Sequence, residues 1–198
     1  KASMLSAGGR CKTFDANGDG YVRAEGGAIL LLKPLEAALA DGDPIHAVIL
    51  ASGVNTDGYK SGITIPKASA QADLMRACCD QAGITPADII YVEAHGTGTA
   101  IGDPIETAAI GDVLGKAKTT PLYIGSVKSN LGHLEPASGM AGLIKTVLCL
   151  KQRALPPTLH PLQETPPLNS FNLGVARTLL KQAGLQEGFA CSLYFLDG

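Results

Sequence analysis

The sequence predicts an α/β layered domain, and two stretches carry most of that prediction. In the first, Ile89, Ile90, Tyr91 and Val92 form a short, nearly continuous apolar run that suits a strand covered on both faces. The run passes through Glu93 and Ala94 into His95-Gly96-Thr97-Gly98-Thr99, and then into Asp103-Pro104-Ile105-Glu106, which has the composition of a helix start. In the second, Leu122-Tyr123-Ile124-Gly125 is another apolar run, followed by a polar loop holding Lys128, Asn130, His133 and Glu135 and by a helical pattern over residues 137–150. Strand, loop and helix in alternation imply a sheet with crossover connections. Each unit brings a histidine to the sheet edge where such folds place ligands.

Along the chain, residues 1–25 are rich in turn formers. The loop Asp15-Ala16-Asn17-Gly18-Asp19-Gly20 has the start of a calcium loop, but the twelfth position, which requires a bidentate glutamate, is Gly26. Turn chemistry accounts for these residues. Residues 26–33 read as a buried strand and residues 34–40 as a short helix stopped by Asp41-Gly42. Residues 45–54 give a long β pattern broken by Asn55-Thr56-Asp57-Gly58. Over residues 68–82, Leu74, Met75, Cys78 and Ala82 recur at helical spacing, and Gly83 supplies the stop. A strand is expected at 88–93 and a helix at 103–114. In that helix Asp103 is the expected N-cap, Pro104 the first helical residue and Glu106 the partner in a reciprocal capping bond. Proline pairs end regular structure after residue 155; beyond that, residues 175–182 have helical and residues 189–195 strand composition.

Bulk properties narrow the function. The 198 residues are 45% hydrophobic, ample for a core, and 16 basic against 18 acidic residues leave a net charge of -2. With no basic cluster, neither nucleic acid nor an anionic membrane is an expected partner. The longest apolar runs fall far short of the roughly 20 residues of a membrane span, and the first residues do not form a signal peptide, so a cytoplasmic location is expected. The five cysteines, Cys11, Cys78, Cys79, Cys149 and Cys191, show no metal spacing, and buried reduced thiols are expected at Cys78 and Cys149. His46, opening a strand, and His160, after a Pro-Pro turn, read as packed side chains. His95 and His133 differ, since each is flanked by glycine and sits before a helix. GTGTAIG lacks the glycine spacing of a dinucleotide site, and no H-x-H or H-E-x-x-H pattern supports a metallohydrolase built on His95, Asp103 and His133.

The segments EAHGTGT around His95, SVKSNLGHLE around Lys128 and His133, GRCKTFDANGDGYVRAEG at residues 9–26 and PPTLH at 156–160 together resemble the β-ketoacyl synthase domain of modular type I polyketide synthases. The resemblance runs from about residue 2 to about residue 165. It implies a thiolase-like fold of two similar halves, with residues 1–44 as the tail of the N-terminal half, 45–165 as the C-terminal half and 166–198 as a divergent segment. It implies decarboxylative Claisen condensation between acyl and malonyl-type thioesters, with no bound cofactor and with substrates carried on the phosphopantetheine of an acyl carrier protein. A homodimer is the expected assembly of the full enzyme. The family's nucleophilic cysteine lies in a segment before Lys1, so that role falls on none of the five cysteines here, and a complementary N-terminal ketosynthase segment is an implied partner.

Within that reading, loss of carbon dioxide from a malonyl-type thioester leaves an enolate, and two neutral imidazoles would supply donors to its oxygen. His95 and His133 are therefore the expected catalytic pair, with Lys128 as their electrostatic partner. Thr97 and Thr99 would bond the amides of the phosphopantetheine arm, Glu135 would pair with Lys128, Asn130 would lie just behind, and Glu93 would be structural. The second reading is a non-catalytic ketosynthase-like partner or a truncated remnant.

Overall fold

Helix α1, Leu35–Asp41, starts behind Pro34, whose fixed φ suits a helix entry, and stops where Gly42 turns left-handed at φ 69°. Helix α2, Ala68–Ala82, is the longest uninterrupted amphipathic match between sequence and structure. Its buried side chains include Leu74, Met75, Cys78 and Cys79, and Gly83 at φ 67° closes it. The computed structural model describes residues 4–60, 62 and 64–159, and the expected helix at 175–182, the expected strand at 189–195, His160 and Cys191 lie outside that range.

Strand β1, Tyr91–Glu93, and strand β2, Tyr123–Gly125, pair in parallel, with Val92 opposite Ile124. Parallel neighbours require a crossover, and helix α3, Gly102–Ile110, supplies it, continued by a π-turn over Gly111–Gly115. The short helix α4, Lys128–Leu131, and the long helix α5, Ser138–Gln152, follow β2. The chain thus has the expected α/β alternation. One core cluster joins Met75 and Cys79 of α2 to Ala94, Ala109, Ile110 and Leu114, sealing α2 and α3 over the sheet, and a smaller one joins Ala51 to Leu74 and Cys78.

Two expected strands are absent. Residues 26–33 form no strand, and Ile29 and Leu31 are 96% and 97% exposed. Residues 45–54 contain only a single bridge position, at Ile49. An apolar run becomes a strand only where a neighbouring chain completes its hydrogen bonds, and among the described residues no strand lies against either segment. The segment just before 26–33 does find a partner. Val22 accepts from His133 N at 2.7 Å and Ala24 N donates to the His133 carbonyl at 2.9 Å, which clips the N-terminal segment onto the second histidine loop.

Candidate active site

The first histidine loop is built by acids that belong to the helix after it. Glu106, 3% exposed, accepts from His95 N at 2.6 Å and Gly96 N at 2.8 Å through its two carboxylate oxygens. Asp103, 7% exposed, accepts from Gly98 N at 3.1 Å and from Phe14 N at 2.8 Å. Neither carboxylate caps its own helix as its spacing suggests. Both lie buried at the start of α3, facing the loop, where unpaired backbone donors would carry a full desolvation penalty. The hydrogen bond that fits a helix cap goes instead from Gly102 N to Thr99 Oγ1, at 3.2 Å.

Thr13 and Ser126 complete the cradle. Thr13 Oγ1 donates to the Gly96 carbonyl at 2.6 Å, and Ser126 Oγ donates to the His95 carbonyl at 3.2 Å. Gly96 sits at φ 46°, and a Cβ there would come within 2.7 Å of both Thr13 and Ser126 side chains, so only glycine fits. The structure therefore adds Glu106, Asp103, Thr13 and Ser126 to the residues that position the site. For Glu106 the sequence holds a trace, since it occupies a capping spacing; for Thr13, 83 residues from Gly96, local pattern holds none.

His95 and His133 come together. Their ring centroids are 5.3 Å apart and nearly perpendicular, at 86°, an edge-to-face contact. His133 Nδ1 accepts from Glu135 N at 3.0 Å, which leaves the proton of the neutral ring on Nε2. Burial, then the Lys128 ammonium, then the neighbouring His133, push the His95 pKa down to about 3. Burial and Lys128 also lower that of His133, against an opposing pull from Glu135. Both rings are neutral at pH 7.

Lys128 opens α4 and is 5% exposed. Burial lowers its pKa, while the charges of Glu106, Glu93 and Asp103 pull the other way, so the ammonium sits within a shell of carboxylates. Glu93 also fixes the entry to α4, accepting from Val127 N at 2.5 Å. Its other oxygen takes the Tyr91 hydroxyl and lies 2.7 Å from Lys145 Nζ, near enough for an ion pair though not aligned as a hydrogen bond.

Of the remaining expected residues, one has a different partner. Glu135 does not reach Lys128; its carboxylate pairs with Arg23 at 3.1 Å and takes the Tyr21 hydroxyl at 3.3 Å, because its backbone, at φ 53°, turns the side chain toward the N-terminal segment. Asn130 is exposed on α4, with Oδ1 accepting from Ser129 Oγ at 3.1 Å. Thr97 is buried and bonds Thr99 hydroxyl to hydroxyl at 3.1 Å. Cys11, Cys78, Cys79 and Cys149 are buried thiols.

Residues 46–161 match the family described as Beta-ketoacyl synthase, C-terminal domain, and residues 1–38 match Beta-ketoacyl synthase, N-terminal domain. The chain belongs to the β-ketoacyl synthase family. Among curated relatives, it is 57% identical over 157 residues to the hybrid PKS-NRPS synthetase pynA of Aspergillus niger, covering 79% of the chain and 4% of that protein. It is 53% identical over 173 residues to the polyketide synthase GfsA of Streptomyces halstedii, covering 86% of the chain and 2% of that protein. Among solved structures, the ketosynthase from module 6 of the bacillaene synthase of Bacillus subtilis superimposes with a TM-score of 0.79 at 46% identity, over 87% of this chain and 30% of that one. The oxazolomycin ketosynthase domain of Streptomyces albus gives 0.79 at 43%, over 84% and 29%. The fold is accordingly that of the ketosynthases, the thiolase-like α/β fold, and the chain spans a small share of the relatives it matches.

Proposed function

We propose that this chain carries the decarboxylation half of a polyketide ketosynthase site. The observation that supports it is the pair of neutral imidazoles, His95 and His133, set edge to face at 5.3 Å. In the reaction the C–C bond to the malonyl carboxylate breaks, carbon dioxide leaves, and the electron pair delocalises onto the thioester oxygen as an enolate. The His133 Nε2–H and the His95 ring donate to that oxygen. Neutral donors suit this task, because a donor already in place at a dry site needs no reorganisation as charge develops. Lys128 acts through the rings, keeping both unprotonated. In the condensation the enolate carbon then attacks an acyl thioester, the acyl C–S bond breaks and the thiolate leaves; when no acyl group is present the carbon takes a proton from water.

The substrate enters on the phosphopantetheine arm of an acyl carrier protein, with Thr97 and Thr99 shaping the glycine-lined wall, and the complete enzyme is a cytoplasmic homodimer. Condensation also requires a thiolate to hold the acyl group. Burial raises the thiol pKa of Cys11, Cys78 and Cys149, which makes each of them a poor nucleophile. None of the five cysteines lies in the family's nucleophile motif, so the chain alone is expected to decarboxylate and not to condense, with a complementary ketosynthase segment supplying the nucleophile. The test is carbon dioxide release from a malonyl N-acetylcysteamine thioester. His95→Ala and His133→Ala should each lower the rate about 10²-fold or more, the usual loss for one donor to a developing oxyanion. A rate unchanged by either substitution, or β-ketoacyl product from the chain alone, would refute the assignment.

A further inference from the structure

Glu135 is the residue whose geometry the decarboxylation chemistry does not explain. It follows His133 by two positions, and its backbone is left-handed at φ 53°, a conformation unfavourable for a glutamate. That conformation is what aims Glu135 N at His133 Nδ1, 3.0 Å away. Its carboxylate is held by two side chains from the N-terminal segment: Arg23 Nε at 3.1 Å and the Tyr21 hydroxyl at 3.3 Å, both on the same oxygen. Tyr21 also lays its ring against His133, with centroids 4.9 Å apart. The same segment grips His133 through its backbone, at Val22 and Ala24.

We propose that Arg23 and Tyr21 are positioning residues that clamp the Glu135 carboxylate, hold its backbone in the left-handed well and thereby keep His133 as the Nε2–H donor. Without the clamp, Glu135 visits negative φ more often, and each time its N–H turns away from Nδ1 and the ring is free to rotate or to exchange tautomers. The clamp itself rests only on geometry; its consequence for rate rests on the decarboxylation reading. No other residue among those described bonds the Glu135 side chain.

Amide exchange read by mass spectrometry on the full chain, in a peptide covering residues 134–138, tests the clamp without any assay of activity. The Tyr21→Phe, Arg23→Ala double variant is expected to exchange about two- to fivefold faster, the range open to a solvent-facing ion pair. Arg23→Lys should restore most of the protection. Glu135→Ala, for which the left-handed φ is still strained and the clamp is gone, should exchange faster than Glu135→Gly, for which that φ carries no strain. In malonyl thioester decarboxylation the double variant should lose kcat with KM unchanged. Unaltered exchange in the double variant, or equal exchange in Glu135→Ala and Glu135→Gly, would overturn the proposal. Faster exchange with unaltered kcat would uphold the contact and overturn its positioning role toward His133.

Discussion

Replacing Glu106 gives the sharpest test of how the His95 loop is held. The carboxylate serves two backbone donors, His95 N at 2.6 Å and Gly96 N at 2.8 Å, and is 3% exposed, so water cannot take its place. Glu106→Ala strands both N–H groups, at about 1–3 kcal/mol each, so a total loss of roughly 2–6 kcal/mol is expected. Glu106→Gln keeps one acceptor and turns an amide N–H₂ toward the other donor, forfeiting one charge-assisted bond of about 1.5–3 kcal/mol. Burial raises the Glu106 pKa, so the charge itself is disfavoured, and the neutral glutamine recovers part of that cost. A net loss of about 2 kcal/mol for Gln corresponds to a fall in Tm of roughly 4–8 °C for a chain of this size.

The assay is thermal unfolding by circular dichroism at fixed protein concentration, with malonyl thioester decarboxylation alongside. Because the loop carries His95, both variants should lose activity beyond their loss of folded protein; a shift of about 1 Å in a catalytic group costs up to about 10²-fold. If Glu106→Ala changed stability by no more than about 0.5 kcal/mol, as an ordinary surface substitution does, the carboxylate would not be holding the loop.

Two further outcomes follow from burial and charge. The His95 pKa falls from 6.5 to about 3 on folding, so between those values the unfolded chain binds the proton and the folded chain does not. Stability from this group is therefore full above pH 6.5 and is lost as pH falls toward 3, by roughly 5 kcal/mol at about 1.4 kcal/mol per unit; urea titrations from pH 7 to 4 should show roughly 3.5 kcal/mol of that loss, and a stability maximum near pH 5 would contradict it. Ile29, Leu31, Leu32 and Leu39 are 96%, 97%, 70% and 64% exposed along one stretch of chain, and apolar patches of this kind drive association at about 2.5 kcal/mol per 100 Å² covered. Sedimentation velocity should show concentration-dependent association that Ile29→Ser with Leu31→Ser weakens; a monodisperse monomer across the concentration range would refute this.

The parts of the fold legible in the sequence are those decided by local rules. Helix α2 is a period of 3.6 with a glycine stop, and the structure begins and ends it at the expected residues, Ala68 and Ala82. The strands were legible as apolar runs ending in histidine loops, but their neighbours were not. Residues 26–33 look like Ile89 to Val92 in composition, yet Leu31 points into solvent while Ile89 joins the core. The pairing of β1 with β2 could be anticipated from two matched units. The clip between residues 22–24 and His133 could not, since over a hundred residues separate its partners. The same limit hid the loop's acids: a glutamate three residues after an aspartate looks identical whether it caps its own helix or reaches back to hold His95.

The acids that hold the loops also set the charge around the rings. Glu93, Asp103 and Glu106 each accept backbone N–H groups, at Val127, at Gly98 and Phe14, and at His95 and Gly96 respectively. These are also the carboxylates whose charge favours the Lys128 ammonium. The Lys128 ammonium adds to burial in disfavouring protonation of both His95 and His133. One set of acids therefore fixes the loop backbone and, through a single buried lysine, adds to the burial that keeps the rings neutral. Geometry and ionisation cannot be varied separately here. A substitution that frees the His95 loop also strips Lys128 of a counter-charge, and a substitution of Lys128 leaves buried carboxylates unbalanced beside the backbone they hold. The site consequently has few neutral routes of change, and its tolerance should be lowest at Glu106, where both effects meet in one side chain.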